Sequence, residues 1–337
     1  MPKRSRKLLL GLAAFAVAAA LAGGPVPAIA DADGVVRFAT LPKPGPGFPE
    51  GIAADAAGNI YVSTFDFSTA NAVHVFAPDG RLQTSLSLPS GSAALGLEFD
   101  AAGALYVADF ANGNVLQYTP PFNAGSLPER TFAVCGGVGA GCGLNALAFD
   151  AAGSLYVSDS FGGNVFRIEL PGGAVSTFVA DEMLKPGSHG FPPFGANGLA
   201  FDALGTNLYV ANTADDRILK VNVATKNVTT FAESINGADG IAFDAAGRLW
   251  VAANQGDEVV ALNDQGRIVE RRGSFDGIDR RGAPRGLLFP ASLVFSRDSL
   301  YVTNLALPLT PAAGDEPEED VTTFTVSRLP LGSSRTR

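Results

Sequence analysis

The stretch GLAFDALGTNLYVANT, residues 198–213, decides the fold, because variants of it recur along the whole chain. It joins a short apolar run to a second one that ends in Tyr-Val, through a turn that contains Asp202 and Gly205. Aspartate and glycine are the residues that tight turns favour, and glycine readily takes the left-handed conformation they need. Two short apolar runs around such a turn predict a β-hairpin.

The hairpin occurs six times, about every 42 to 52 residues. Its turn position is occupied by Asp55, Asp100, Asp150, Asp202, Asp244 and Ser296. Further alternating runs follow each copy, such as residues 72–82 and 114–119. Six units of four strands predict an all-β fold, a six-bladed β-propeller with four-stranded blades. VVRFATL (35–41) and VTTFTVSRL (321–329) are expected to pair in the last blade, which would close the ring and remove a free sheet edge.

Composition agrees with a single folded domain over residues 31–337. The chain has 337 residues, 47% of them hydrophobic, which is enough for a sizeable core. Its formal net charge is −9. A protein that binds nucleic-acid phosphates needs a basic face, so nucleic acid is excluded as a partner.

The first 30 residues have the pattern of a signal peptide. Four cations, Lys3, Arg4, Arg6 and Lys7, precede an apolar run over 8–22, and Ala28-Ile29-Ala30 provides a cleavage site. We therefore expect a secreted or periplasmic protein, free of the membrane once residues 1–30 are removed. The alternative is a signal that is retained as an anchor.

Cys135 and Cys142 flank the flexible loop Gly-Gly-Val-Gly-Ala-Gly. In an oxidising compartment such a pair is expected to form a local disulfide. The loop lacks the Lys-Ser/Thr of a phosphate-binding loop, so its role is structural.

The repeat also shows where a site can form, because the first strand of each unit must crowd around the propeller axis. The residue four before the turn position is small in every unit, as close backbone approach requires. The residue before that one opens the innermost strand, and six such residues should ring one mouth of the channel. They are Glu50, Leu95, Asn145, Asn197, Asp239 and Ala291.

Four of these six residues carry oxygen donors: Glu50, Asn145, Asn197 and Asp239. Two carboxylates and two amide carbonyls suit one divalent cation, most simply Ca²⁺, with Zn²⁺ or Mn²⁺ as alternatives. Without a cation, the two carboxylates would repel each other in a narrow channel. The alternative is that these polar residues simply face solvent where strands begin.

Residues 197–213 and 239–252 resemble the senescence-marker-protein/gluconolactonase/luciferin-regenerating family, within the wider group of calcium-dependent six-bladed propellers. The resemblance implies one divalent metal in the channel, bound at the positions of Glu50, Asn145, Asn197 and Asp239. It also implies a hydrolase in which the metal polarises the carbonyl of a lactone or ester and water attacks. Asp239 is then the candidate base that takes a proton from the water, with Glu50 as the alternative.

The chain departs from the family pattern in several places. Ile52 and Ala54 replace the family's proline and tryptophan after the first Glu-Gly. Gly143 stands where the family has an arginine that helps to hold a sugar acid, which argues against a sugar-acid substrate. The repeats also resemble the NHL type, which is common in interaction proteins without enzymatic activity.

Other polar residues have two interpretations each. Asp159 and Asn212 end second strands on the side of the ring, where they would either support the substrate or cap turns. His189, Phe191 and Phe194 belong to a connection that enters an innermost strand. The histidine would shuttle protons or be solvated, and the phenylalanines would line an apolar entrance for a hydrophobic lactone or ester.

Two classes of function therefore remain open. The first is an exported, metal-dependent lactonase or esterase, an enzyme acting on carboxylic esters. The second is a propeller without catalytic activity that binds a protein or glycan through its loops. Only the first needs a divalent cation site at the channel mouth.

Overall fold

Six four-stranded antiparallel sheets surround a central channel in the computed structural model of the chain, which describes residues 34–42, 47–66, 70–188, 190, 192–310 and 313–331. The predicted all-β, six-bladed propeller is confirmed. The predicted signal peptide, residues 1–30, lies outside the described residues, as do His189 and Phe191. Over the part of the chain that is described, no helix has the length and apolarity to span a membrane.

Blades one to five each take four consecutive strands. Blade one contains β2 (Phe48–Ala54), β3 (Ile60–Phe65), β4 (Ala72–Phe76) and β5 (Leu82–Ser87). Blade two contains β6 (Ala94–Phe99), β7 (Leu105–Asp109), β8 (Asn114–Tyr118) and β9 (Arg130–Ala133). Blade three contains β10 (Leu144–Phe149), β11 (Leu155–Asp159), β12 (Asn164–Glu169) and β13 (Ala174–Ala180). Blade four contains β14 (Ala196–Phe201), β15 (Asn207–Asn212), β16 (Arg217–Asn222) and β17 (Val228–Ala232). Blade five contains β18 (Ala238–Phe243), β19 (Leu249–Ala253), β20 (Glu258–Leu262) and β21 (Ile268–Arg272).

Blade six is built from both ends of the sequence. Its strands are β24 (Pro290–Ser296), β25 (Ser299–Asn304), β26 (Thr325–Pro330) and, on the outside, β1 (Val36–Thr40). The predicted closure of the ring is therefore confirmed, with β1 antiparallel to β26. Arg37 adds an ion pair of 2.7 Å to Asp279, and the ring of Phe38 packs edge-on against Tyr301.

The remaining elements are short. A hairpin of β22 (Phe275–Ile278) and β23 (Pro284–Gly286) precedes blade six. Single 3-10 turns lie at Val138–Ala140, Glu182–Leu184, Asn254–Gly256 and Pro317–Asp320.

The repeated turn residues explain why the hairpins form. In blade three, Asp150 Oδ1 accepts hydrogen bonds from the backbone N–H groups of Ala152 and Ser154, at 3.0 and 2.8 Å. The hydroxyl of Tyr156 donates to the other carboxylate oxygen of Asp150 at 3.1 Å. Gly153 completes the turn with a φ of +84°, a conformation that favours glycine. The aspartate therefore ties the turn to the aromatic residue that packs between blades.

The small residues of the innermost strands allow neighbouring blades to meet. A Cβ atom on Gly198 would lie 2.3 Å from the carbonyl oxygen of Asp239, and one on Gly51 would lie 2.1 Å from that of Leu95. Aromatic side chains fill the space further out, where Tyr156 packs edge-on against Phe178 and Phe201. Each interface between blades is thus an apolar core that holds the first strands at fixed positions around the axis.

Candidate metal centre

The four predicted oxygen-donor residues meet at one small cavity in the channel. Glu50, Asn145, Asn197 and Asp239 all line it, and each is at most 5% exposed. The cavity volume is about 40 Å³. That is enough space for an ion and a few water molecules. Leu95, the ring residue of blade two, also lines the cavity.

Each carboxylate has an oxygen without a hydrogen-bond partner. Glu50 Oε2 and Asp239 Oδ1 are both buried and unpartnered within the described structure. Burial raises the pKa of Glu50 well above its ordinary value, and the nearby Asp239 raises it further. Burial also raises the pKa of Asp239 to about 7, although the hydrogen bond from Asn254 and the nearby amide of Asn197 act in the opposite direction. Two such groups are costly to bury as anions unless a positive charge accompanies them.

The two asparagines are oriented by the second strands of their own blades. Asn145 Nδ2 donates to Ser160 Oγ at 3.1 Å, and Asn197 Nδ2 donates to Thr213 Oγ1 at 2.9 Å. Since the amide nitrogens are engaged, the carbonyl oxygens are the groups left for a ligand.

Asn254 plays the corresponding part in blade five. Its Nδ2 donates to Asp239 Oδ2 at 3.0 Å, and it also lines the cavity. Asn254 Oδ1 is buried without a partner in the described structure, so the residue adds a further oxygen close to the ring.

These supporting residues form a second ring that was not predicted from the sequence. They occupy the fifth position after the Leu or Ile that is the first or second residue of the second strand in each blade. The six residues are Phe65, Phe110, Ser160, Thr213, Asn254 and Leu305. The repeat carries a signal for them, because they come one position after Asp159, Asn212 and their equivalents in the other blades.

Asp159 and Asn212, at the end of the second strands, hydrogen-bond to the backbone of nearby loops. Asp159 Oδ1 accepts from the backbone N–H groups of Gly143, Phe161 and Gly162 at 3.0 to 3.1 Å. Asn212 Nδ2 donates to the carbonyl oxygens of Met183 and Lys185. Neither Asp159 nor Asn212 lines the cavity, so the turn-capping interpretation describes their contacts.

The mouth of the cavity is apolar. Phe194 lines it, as predicted for the entrance, together with Pro192, Phe65, Phe110, Phe289, Leu305 and Leu307. Cys135 and Cys142 form a disulfide beside the turn at Gly113, and neither cysteine lines the cavity.

Within the described residues, no group of three or more His, Cys, Asp and Glu side chains is placed to hold a metal. The ring differs from such groups because half of its oxygen donors are amides. Hard divalent cations such as Ca²⁺ accept carboxylate and amide oxygens together with water, so the donor set fits one.

A family model described as the SMP-30/Gluconolactonase/LRE-like region matches residues 141–273. The predicted resemblance is confirmed. The matched region contains Asn145, Asn197 and Asp239, whereas Glu50 lies before it. No curated protein matches the chain.

Solved structures share the propeller. A putative gluconolactonase is 20% identical with a TM-score of 0.61, covering 88% of this chain and 91% of its own. A calcium-binding protein, regucalcin from Agrobacterium tumefaciens, is 17% identical with a TM-score of 0.61, covering 87% and 94%. Virginiamycin B lyase from Staphylococcus aureus is 13% identical with a TM-score of 0.55, covering 80% of each chain. At these identities the likeness shows the fold alone.

Proposed function

We propose that the protein is a metal-dependent hydrolase that opens lactones or esters at the mouth of its channel. The observation that carries this proposal is the pair of unpartnered carboxylate oxygens, Glu50 Oε2 and Asp239 Oδ1, buried at one cavity with two oriented amides. The family resemblance and the structure of the same fold that is described as a putative gluconolactonase support a lactone or ester as the substrate class.

Glu50, Asn145, Asn197 and Asp239 would hold one divalent cation, most simply Ca²⁺. When bound, the cation would polarise the substrate carbonyl and stabilise the negative charge that develops as water attacks. Asn145 and Asn197 contribute neutral oxygens, so two carboxylates balance the two positive charges of the ion.

Asp239 is the residue we assign to proton transfer. Asn254 donates to Asp239 Oδ2, so Oδ1 is the oxygen left both to contact the cation and to accept a proton from the attacking water. Glu50 is the alternative base, since its Oε2 is also unpartnered among the described contacts. The aromatic side chains at the mouth would exclude bulk water during the reaction.

Calorimetric titration of Ca²⁺ into the chelator-stripped protein tests the proposal, with Zn²⁺ and Mn²⁺ titrated in parallel. We expect one site in the wild type and none in Asp239→Ala. Asp264→Asn, an exposed charge change in the same blade, is the matched control and should bind like the wild type. Hydrolysis of a panel of lactones and aryl esters should require the bound ion.

The opposite result has a definite meaning. If the folded wild type binds no divalent cation, the ring residues are polar groups without a metal, and a propeller that binds a ligand without catalysis replaces the hydrolase. Export remains a prediction from the sequence.

A further inference from the structure

The candidate cavity has two chemically different sides. Blades three, four and five contribute polar residues from both rings, so that Asn145, Asn197 and Asp239 each meet a polar partner. Blades six, one and two have apolar residues at the same positions, and Leu95, Phe65, Phe110 and Leu305 line the cavity, whereas Ala291 does not. Glu50 is the exception on that side.

The apolar side continues into a wall of packed phenylalanines that extends to Phe161, just after β11 of blade three, and Phe194, just before β14 of blade four. Phe110 meets Phe65 edge-on with ring centroids 5.8 Å apart, and it meets Phe194 at 6.3 Å. Phe161 stacks on Phe194 at 5.7 Å. Such contacts add to the free energy gained by burial. The wall therefore presents a continuous apolar surface beside the carboxylates.

Gly143 shows that the wall leaves no room for a polar side chain at its base. A Cβ atom there would lie 2.5 Å from Cε2 of Phe110 and 3.0 Å from Cε2 of Phe161. Any longer side chain, including a cationic one, would have to displace both rings. Only glycine fits at residue 143 while Phe110 and Phe161 keep their packing.

The charged residues of the cavity also favour an uncharged, apolar substrate. Of the described residues that line the cavity, Glu50 and Asp239 alone are charged, and none is a Lys, Arg or His. Because these two carboxylates balance the two positive charges of the proposed cation, a substrate that carries a carboxylate or phosphate would find no unbalanced positive charge there. A sugar ring would lose hydration from its hydroxyl groups against a wall that offers them no hydrogen-bond partner, which is unfavourable for every hydroxyl that is buried.

Size also favours an apolar group. The cavity itself has room for an ion and its water, so a larger molecule must part the side chains that close it. Phe194 is partly exposed, as are Phe65 and Phe161, and its movement would remove its own apolar contacts with Phe110 and Phe161. An alkyl or aryl group of the substrate would restore that packing, whereas a hydroxylated group would not.

We infer that the substrate is an uncharged lactone or ester with an alkyl or aryl group, which lies against Phe65, Phe110 and Phe194 while its carbonyl faces blades three to five. This inference rests on the proposed hydrolase function and specifies its substrate class.

The test compares two lactones with the same six-membered ring, δ-octalactone and D-glucono-1,5-lactone, on the Ca²⁺-loaded protein. We expect kcat/KM to be at least about 100-fold higher for δ-octalactone, which corresponds to about two well-buried hydroxyl groups. Phe194→Ser should lower the ratio of the two values about tenfold, since part of an apolar contact is removed. Phe194→Leu should largely preserve it.

Phe122→Ser is the matched control. Phe122 is a partly exposed phenylalanine that contacts Tyr61 and Phe99, away from the candidate cavity. It should leave the ratio unchanged. A preference for D-glucono-1,5-lactone, or an equal loss on both substrates in Phe194→Ser, would overturn the inference.

Binding of ε-caprolactam, a lactone analogue that resists hydrolysis, separates this inference from the proposed function. Calorimetry should detect it on the wild type and a weaker interaction on Phe194→Ser. If the lactam binds in this way but no lactone or ester is hydrolysed, the apolar site stands and the hydrolase fails. If hydrolysis occurs but the lactam binds to the wild type and to Phe194→Ser with the same affinity, the inference about the wall fails.

Discussion

The two halves of the central channel are built by the same six strands, yet they differ in chemistry. At one mouth, four blades place oxygen donors at a single register and close them under aromatic side chains. Further along, a cavity of about 150 Å³ is lined by aliphatic side chains and the small residues of the innermost strands. Its one carboxylate among the described lining residues is Glu98.

Glu98 stands at a position occupied by alanine or valine in the other blades: Ala53, Ala148, Ala200, Ala242 and Val294. Its Oε1 accepts a hydrogen bond from the backbone N–H of Phe99 at 3.0 Å. A polar residue that replaces the usual residue in one blade therefore adds a single polar group to the channel. Polar residues at the same register of several blades lie close enough together to form a site.

The largest expected effect separates the two halves directly. Asp239→Asn and Glu50→Gln should each lower kcat at least about 1,000-fold, because each removes a charge and a proton acceptor at the reacting carbonyl. Glu98→Gln, a matched loss of one carboxylate in the same channel, should stay within about twofold of the wild type. Steady-state kinetics with saturating Ca²⁺ measures all three. A large loss in Glu98→Gln would contradict the division.

Asn254→Ala tests the second ring with an intermediate effect. Asn254 positions Asp239, and removing such a partner typically weakens metal binding about 10- to 100-fold. Asn254→Thr, which introduces the hydroxyl that blade four uses at Thr213, should recover part of the affinity. Calorimetric Kd values measure this. If both variants bind Ca²⁺ like the wild type, Asn254 has no positioning role.

The smallest effect concerns pH and the other half of the channel. Burial raises the pKa of Glu98 to about 7 from an ordinary value of 4.5. The folded protein therefore keeps a proton that the unfolded chain has already lost between these values, so the free energy of unfolding should fall as pH rises through this window.

Glu98→Gln should remove that dependence and gain about 1 to 3 kcal/mol of stability at pH 8. Urea unfolding at several pH values in saturating Ca²⁺ measures the difference, because the bound ion keeps Glu50 and Asp239 from titrating in the same range. The exposed Glu233→Gln is the control. Curves that run parallel for the wild type and Glu98→Gln would show that Glu98 stays ionised throughout.

The fold could be predicted from the sequence because each blade repeats the same interactions between residues that are close together in the chain. Asp150, Gly153 and Tyr156 interact within seven residues, so a hairpin signature and its contacts appear together in one line of sequence. The ring of Glu50, Asn145, Asn197 and Asp239 was found in the same way, since register alone fixes its height in the channel.

What the sequence did not provide was the partner of each ring residue. Asn254, which donates to Asp239, directly follows the second strand of blade five. Its counterparts in blades three and four are one position after Asp159 and Asn212, and the repeated hairpin pattern ends before that position. The phenylalanine wall could not be predicted either, because Phe65 ends a strand of blade one, Phe110 follows a strand of blade two and Phe194 precedes a strand of blade four, and they meet only in the folded ring.

The last blade also sets an order of assembly. During synthesis β1 has no partner until β26 has been made, so almost the whole chain must exist before the sheet of blade six is complete. Glu50 lies beside that seam, where its carbonyl oxygen accepts a hydrogen bond from Thr303 Oγ1 at 2.7 Å. A chain that stops before residue 325 therefore lacks β26 and leaves β1 without its partner, so the outer half of the blade next to Glu50 is missing.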